Sequence, residues 1–171
     1  MAWTAPTTRT TGTLITASIW NADIVDNLDA LKDPPTDHYE LDEVSDYTTS
    51  STSFTDVDAT NLAMSVTTTG GDVIVEFHGT MMVNATYFFM LDIDVDGSRE
   101  GGDDGILSFE NASGEVKPVS FSRLITGLAA GSHTFKLQWK VMNGAATVTL
   151  SAGAGTSNKD VHGQFWAREV S

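Results

Sequence analysis

The stretch that decides the fold is "HTFKLQWKVMNGAATVTLS", residues 133–151. Residues 134–141 alternate between polar and apolar side chains, and the apolar ones are Phe135, Leu137, Trp139 and Val141. An alternation with a period of two is typical of a β-strand with one buried face. Asn143 and Gly144 favour a hairpin turn because both tolerate positive φ, and Val148 and Leu150 continue the alternation after it.

The same alternation recurs on the N-terminal side of this stretch, in "NLAMSVT", "DVIVEFHG" and "ATYFFMLDIDVDG". The residues predicted to face the core in these segments are Leu62, Met64, Val66, Val73, Val75, Phe77, Ala85, Tyr87, Phe89, Leu91, Ile93 and Val95. About eight strands separated by turn residues predict a mainly β chain, with an antiparallel jelly-roll-like β-sandwich over residues 54–171.

The N-terminal part has a different pattern, because "TASIWNADIVDNLDALKDPP" (16–35) predicts one short α-helix. Thr16 suits the N-cap, and the prolines at 34 and 35 end the helix. Apolar residues at spacings of three and four form a stripe: Ala17, Trp20, Ile24, Leu28 and Leu31. A helix of this length is marginally stable alone. We therefore expect the stripe to lie on the chain's own β-domain, on sister copies or on another protein.

These patterns divide the chain into three parts. Residues 1–35 form an extended arm and the helix, 36–53 an acidic linker or strap, and 54–171 the sandwich. We expect the arm and helix to provide an attachment or oligomer interface through Trp3, Leu14, Ile19, Trp20, Ile24, Leu28 and Leu31.

Composition narrows the class of protein. The 171 residues have a formal net charge of −14, so the phosphate backbone of nucleic acid would be repelled. The absence of cysteine excludes disulfides and thiol catalysis. The chain has neither an apolar run of membrane-spanning length nor the pattern of a secretory signal, so we expect synthesis in a cytoplasm and no membrane partner.

The acidic segment "DIDVDG" resembles a calcium-binding loop, with Asp92, Asp94 and Asp96 at alternate positions and Asp103 in the twelfth. The match is incomplete, since the twelfth residue is not Glu and the flanks predict strand. We favour the alternative that the three alternating acids face water and that Asp96–Gly97 forms a hairpin turn. These four residues remain a weak metal candidate, and no cofactor is expected.

Two apolar side chains in the same strand, Phe88 and Met90, fall on the face opposite the core. An outward face in contact with water should be polar, so both need cover. The cover comes from the N-terminal segment, from a neighbouring subunit or, as the alternative, from another part of the same domain. The four histidines are scattered, and no local signature of a catalytic triad or phosphate-binding loop is present. We therefore expect a protein that is not an enzyme.

The N-terminal 31 residues, "MAWTAPTTRTTGTLITASIWNADIVDNLDAL", resemble a segment of many structural proteins of tailed bacteriophages. The matching residues are Trp3, Thr4, Pro6, Gly12, Leu14, Thr16, Ala17, Trp20, Asn21, Asp26, Asn27, Leu28 and Leu31. The C-terminal stretches "ITGLAAGSHTFKLQWKV", "ATVTLSAGAG" and "QFWAREVS" are similar to the β-domain of such proteins. Members often carry a second Trp after the proline, where this chain has Thr8, Arg9 and Thr10.

The resemblance implies a virion protein of the capsid decoration (cement), minor tail or fibre type. Its partners would be other virion proteins of the capsid or tail. By analogy with other jelly-roll proteins of this kind, a homotrimer is expected. A receptor- or glycan-binding module of a phage tail is the alternative, and a polysaccharide depolymerase is a third possibility that the short chain disfavours.

Overall fold

The computed structural model describes residues 7–153 and 160–170, so Trp3 of the predicted arm lies outside the described residues. The helical part consists of α1 (Ala17–Trp20), a π-helical segment (Asn21–Val25) and α2 (Asp26–Lys32). The strands are β1 (Thr36–Glu40), β2 (Tyr47–Thr49), β3 (Thr55–Asp56), β4 (Ala63–Thr68), β5 (Gly71–Val83), β6 (Tyr87–Val95), β7 (Ser98–Arg99), β8 (Leu107–Asn111), β9 (Val116–Leu128), β10 (Gly131–Val141), β11 (Val148–Ser151) and β12 (Gln164–Glu169).

The strands form two antiparallel sheets with nested pairing. One sheet has the order β1-β12-β5-β11-β2, with β9 on the other edge of β5. The other has the order β3-β10-β6-β7, with β4 beside β10 and β8 beside β6. The first strand pairs with the last (β1 with β12), and inside this pair lie β2 with β11, β4 with β10, β5 with β9 and β6 with β8. This pairing is that of a jelly roll, so the predicted fold class is confirmed.

The core lies between the sheets and contains the side chains that the alternation predicted. Residues with at most 2% exposure include Leu62, Met64, Val66, Val73, Val75, Phe77, Phe89, Leu91, Ile93, Phe135, Leu137, Trp139, Val141, Val148 and Leu150. Alternate residues of each strand therefore close one continuous apolar layer, which is the main source of stability in such a fold.

The hairpin predicted at Asn143 and Gly144 is wrong. The flanking strands β10 and β11 belong to different sheets, because β6 on one edge of β10 and β3 and β4 on the other already occupy its backbone groups. The segment 142–147 instead crosses between the sheets through a turn, in which the carbonyl of Asn143 accepts a hydrogen bond from the amide of Ala146 (2.9 Å).

The acidic segment 36–53, expected to be a linker or strap, contributes strands β1 and β2 to the sandwich. Leu41 is fully buried, and its amide donates to the carbonyl of Gly163 (2.8 Å). The Tyr39 hydroxyl donates to Glu43, and this hydrogen bond raises the pKa of Tyr39 to about 12. The sequence of β1 shows no alternation of polar and apolar residues, because most of its residues are polar and none is fully buried.

The outer face of β6 is covered within the chain at Met90 and Asp92, whereas Phe88 on the same face is 36% exposed. Cover by the same domain was the alternative for Met90, and the prediction that all the alternating acids face water is wrong. Met90 is 6% exposed and Asp92 is fully buried, so Met90 needs no partner and the alternating acids do not all face water. The Arg99 guanidinium lies over this face, 3.0 Å from the Asp92 carboxylate and 4.3 Å from the ring centroid of Phe54. The short strand β7 returns Arg99 onto β6 and provides this cover.

The turn predicted at Asp96–Gly97 is present. Val95 pairs with Ser98, and both turn residues have positive φ (52° and 88°), as a two-residue hairpin requires. The Asp96 carboxylate lies 2.7 Å from Nδ1 of His133, whose Nε2 lies 2.8 Å from the carbonyl of Ala129. Because both ring nitrogens face acceptors, the arrangement favours the imidazolium, which donates from each.

This contact predicts a pH-dependent contribution to stability. The hydrogen bonds to Asp96 and Ala129 raise the pKa of His133, while the Thr134 amide and His133 lower the pKa of Asp96. The contribution is therefore complete between about pH 4 and 6.5, the ordinary values of the two groups. It is lost as pH rises through the raised His133 pKa or falls through the lowered Asp96 pKa.

We expect His133→Gln to cost about 0.5 kcal/mol at pH 5.5, a small value because Asp96 is half-exposed, and less at pH 9. Urea denaturation of both proteins at the two pH values measures the difference. An equal cost at both values would show that the imidazolium is not the stabilising form.

Candidate attachment surface

The N-terminal helix begins where the sequence predicted. Thr16 has extended dihedral angles, and its hydroxyl accepts a hydrogen bond from the amide of Ile19 (3.3 Å), so it is the N-cap. The helix continues to Lys32, and Asp33 leaves helical geometry before the two prolines. Arg9 pairs with Asp23 at 2.9 Å, which ties the leader to the side of the helix.

The predicted apolar stripe faces outward. Of its five residues, Ala17 is small, and we keep the name apolar stripe for the four large ones. These are Trp20, Ile24, Leu28 and Leu31, whose exposed fractions are 55%, 41%, 60% and 65%. The buried residues of the helix are Asn27 and Ala30, one polar and the other small. This orientation is the reverse of a helix that packs on its own core.

The other predicted interface residues divide into three groups. Leu14, which precedes the helix, is 79% exposed and adds another large exposed apolar side chain to the N-terminal segment. Phe88 is at 36%, while Ile19 is half-buried. Met90 is buried within the chain, as described above, and therefore leaves the candidate set.

The middle of the stripe lies on the π-helical segment Asn21–Val25, a feature that the sequence pattern did not predict. The amide of Asp26 donates to the carbonyl of Asn21, five residues back, so this turn is wider than an α-helical turn. This wider turn contains Ile24 and lies between Trp20 and Leu28 of the stripe. Single π-helical turns inside α-helices are frequent at functional sites.

The stripe could supply considerable binding free energy. Full burial of one large apolar side chain contributes roughly 1.5–3 kcal/mol. The four residues of the apolar stripe are about half exposed, so covering them would contribute about 3–6 kcal/mol per copy before the cost of association.

The acidic candidates do not form a metal site in the described part of the chain. There, no three His, Asp or Glu side chains are grouped in a way that could hold a metal ion. Asp92 instead accepts hydrogen bonds from the amides of Ile93 and Gly101 (both 2.8 Å) and pairs with Arg99. The carboxylate of Asp94 accepts from the amide of Gly97 (2.9 Å) and so supports the hairpin.

A cleft of about 360 Å³ is lined by His78, Ser120 and His162 among others. Nδ1 of His162 donates to the carbonyl of Leu41 (2.8 Å), and Nε2 of His78 lies 3.4 Å from Oε1 of Gln164. Within the described residues, Ser120 is hydrogen-bonded to neither imidazole, so the cleft contains no assembled pair of nucleophile and base.

Aromatic side chains for glycan stacking are placed as follows. Trp139 is 2% exposed and Trp166 is half-buried, so Trp20 is the exposed tryptophan in the described part of the chain. None of the helical segments described has the length and hydropathy that crossing a bilayer requires. The exposed tryptophan of the described residues thus belongs to the apolar stripe.

The geometry defines a jelly-roll β-sandwich with an outward-facing amphipathic helix at its N-terminus. No protein-family model and no curated protein matches the chain. Among solved structures, dimeric latent PorU from Porphyromonas gingivalis is similar, with a TM-score of 0.40 and 10% sequence identity. The match covers 99% of this chain and 14% of that chain, a likeness too weak to indicate family or function.

Proposed function

We propose that this chain is a non-enzymatic structural component of a bacteriophage particle, of the capsid decoration or fibre type, attached through its N-terminal helix. The observation that carries the proposal is the apolar stripe, whose four large side chains are exposed. A patch of this kind on a protein surface marks an interaction site. The resemblance of the N-terminal segment to tailed-phage structural proteins supports the particle as the place of attachment.

The helix is available for a partner because the sandwich is complete without it. The core cluster begins at Leu41 and includes residues of both sheets, whereas the buried helix residues Asn27 and Ala30 lie outside it. Removing the stripe residues therefore should leave the body folded while it removes the attachment surface.

We further propose that three copies associate, as the analogy with jelly-roll virion proteins suggests. Three helices on one assembly would bind with an effective concentration that increases overall affinity by orders of magnitude. Phe88, at 36% exposure, is a candidate residue for the contact between copies.

The test is incorporation of a full-length variant, Trp20→Ser, Leu28→Ser and Leu31→Ser together, into purified particles. In competition with the unmodified chain at equal concentration, we expect the ratio of variant to unmodified chain in the particles to fall at least tenfold, because a loss of only 1.4 kcal/mol changes the binding constant by that factor. The thermal unfolding midpoint should change little, since the three side chains are already exposed.

Val44→Ser is the matched control, because Val44 is 96% exposed and lies outside the helix. The control should be incorporated like the unmodified chain. Normal incorporation of the triple variant would overturn the assignment of the apolar stripe as the attachment surface.

A further inference from the structure

Strand β9 lies at the edge of its sheet with one side open. It pairs with β5 from Leu128 to Val116, and no other strand of the described residues pairs with it. With 13 residues it is one of the two longest strands described. A long open edge of this kind is a template for another strand.

The direction of the backbone groups of β5 follows from hydrogen bonds at its two ends. The amide of Asn84 donates to the carbonyl of Thr147 (3.1 Å), and the carbonyl of Asp72 accepts from the amide of Val170 (2.9 Å). The backbone amide and carbonyl groups of these two even-numbered residues, Asp72 and Asn84, thus point toward β11 and β12. Because direction alternates along a strand, the odd-numbered residues of β5 point toward β9.

The register carries this alternation into β9. Phe77 is opposite Phe121, and Gly79 is opposite Val119, so odd-numbered residues of β9 exchange hydrogen bonds with β5. The even-numbered residues direct their amide and carbonyl groups to the open edge: Pro118, Ser120, Ser122 and Leu124. Pro118, which has no amide hydrogen, occurs at a position where β5 requires none.

The open edge is accessible in the single chain. Ser120, Ser122 and Leu124 are all exposed, and Leu124 reaches 49%. Within the described residues, their backbone groups make no hydrogen bond outside the ladder with β5. The amides and carbonyls of Ser120, Ser122 and Leu124 are thus open to a strand from outside.

The charges of β9 indicate the chemistry of that strand. In a chain with a net charge of −14, β9 contains Lys117 and Arg123 and no acidic residue. Both face the same side as Phe121, and their side chains are 31% and 45% exposed. Lys117 pairs with Glu115 at 3.0 Å, whereas Arg123 is 4.0 Å from Glu100, so Arg123 is the more available cation.

An antiparallel second copy of β9 would place cations directly opposite cations, which is a destabilising arrangement, whereas a strand with carboxylates would place opposite charges across from Arg123 and Lys117. We propose that the open edge of β9 binds an extended segment of another protein as an added β-strand, with acidic residues opposite Arg123 and Lys117 and apolar residues between them. This surface is separate from the apolar stripe and does not depend on the proposed attachment.

The test uses the full chain and the synthetic peptide TETVTVTET, whose inward residues match the positions from Arg123 to Lys117 in either direction. Residue-resolved amide hydrogen exchange by NMR should show at least tenfold protection of Ser120, Ser122 and Leu124. The matched peptide TKTVTVTKT should give none. Protection by neither peptide, or equal protection by both, would overturn the proposal.

Two variants make the test specific. Ser122→Pro removes an outward amide without removing a bond to β5, so it should abolish protection, whereas Ser122→Ala should retain it. If Ser122→Pro fails to fold, the double reversal Lys117→Glu and Arg123→Glu replaces it and should reverse the peptide preference. A free protein that sediments as a dimer, and as a monomer with Ser122→Pro, would assign the edge to a second copy and overturn the proposal.

Discussion

Replacing Trp139 with alanine is expected to lower the free energy of unfolding by about 3–5 kcal/mol. Trp139 lies in the central strand β10, opposite Leu91 of β6 and Thr55 of β3, and is 2% exposed. Truncation would leave a large cavity between two sheets whose strands are held by their ladders and cannot close on it. The lost contacts and the cavity both contribute to the cost.

Urea denaturation followed by circular dichroism measures this loss. Trp20→Ala is the matched control, because Trp20 is the same residue type at 55% exposure and should change stability by less than about 0.5 kcal/mol. Equal effects of the two substitutions would contradict the described orientation of the helix and the position of the core.

Replacing Asp92 with alanine is expected to cost about 3 kcal/mol, the second large effect. The buried carboxylate accepts hydrogen bonds from the amides of Ile93 and Gly101 and from Arg99. Alanine would leave the two amides without their acceptor and Arg99 without its counter-ion. Arg99 is one-third exposed, so water offsets part of the electrostatic loss.

Burial raises the pKa of Asp92, against the opposing effects of Ile93, Gly101 and Arg99. Asp92 therefore stabilises the fold through the hydrogen bonds that its side chain accepts. Asp92→Asn keeps one acceptor oxygen and should lower the free energy of unfolding by less than Asp92→Ala does. The control is Asp104→Ala, since the Asp104 side chain is 75% exposed and 3.6 Å from Lys140. A loss below 1 kcal/mol for Asp92→Ala, measured by urea denaturation, would contradict this role.

The period-two alternation was sufficient to predict which side chains of β4, β5, β6 and β10 face the core. It succeeds because successive side chains of a strand point to opposite faces, so residues two positions apart share one face. The N-cap at Thr16 and the turn at Asp96–Gly97 were likewise predictable, since each depends on a few adjacent residues.

Features that depend on distant parts of the chain could not be read in this way. Asn143–Gly144 has the residues of a hairpin, but the edges of β10 were already occupied by β6 and β4. Asp92 is buried beneath Arg99, which itself lies over the Phe54 ring, and no alternation within β6 reveals this cover.

The orientation of the N-terminal helix was the question that the sequence left open among three surfaces. In the structure the four side chains of the apolar stripe are exposed rather than buried on the chain's own sandwich. Sister copies and another protein are the two surfaces on which we propose that the stripe lies. The π-helical segment at Asn21–Val25 could not be predicted, because the spacing of apolar residues is compatible with an ordinary α-helix.

Electron cryo-microscopy of the phage particle to which we propose that this protein belongs tests the central claim most directly. We predict that density from a neighbouring protein or a sister copy covers Trp20, Ile24, Leu28 and Leu31, while the sandwich extends outward. A particle in which these four side chains face solvent, or fold back onto their own sandwich, would contradict attachment through the helix.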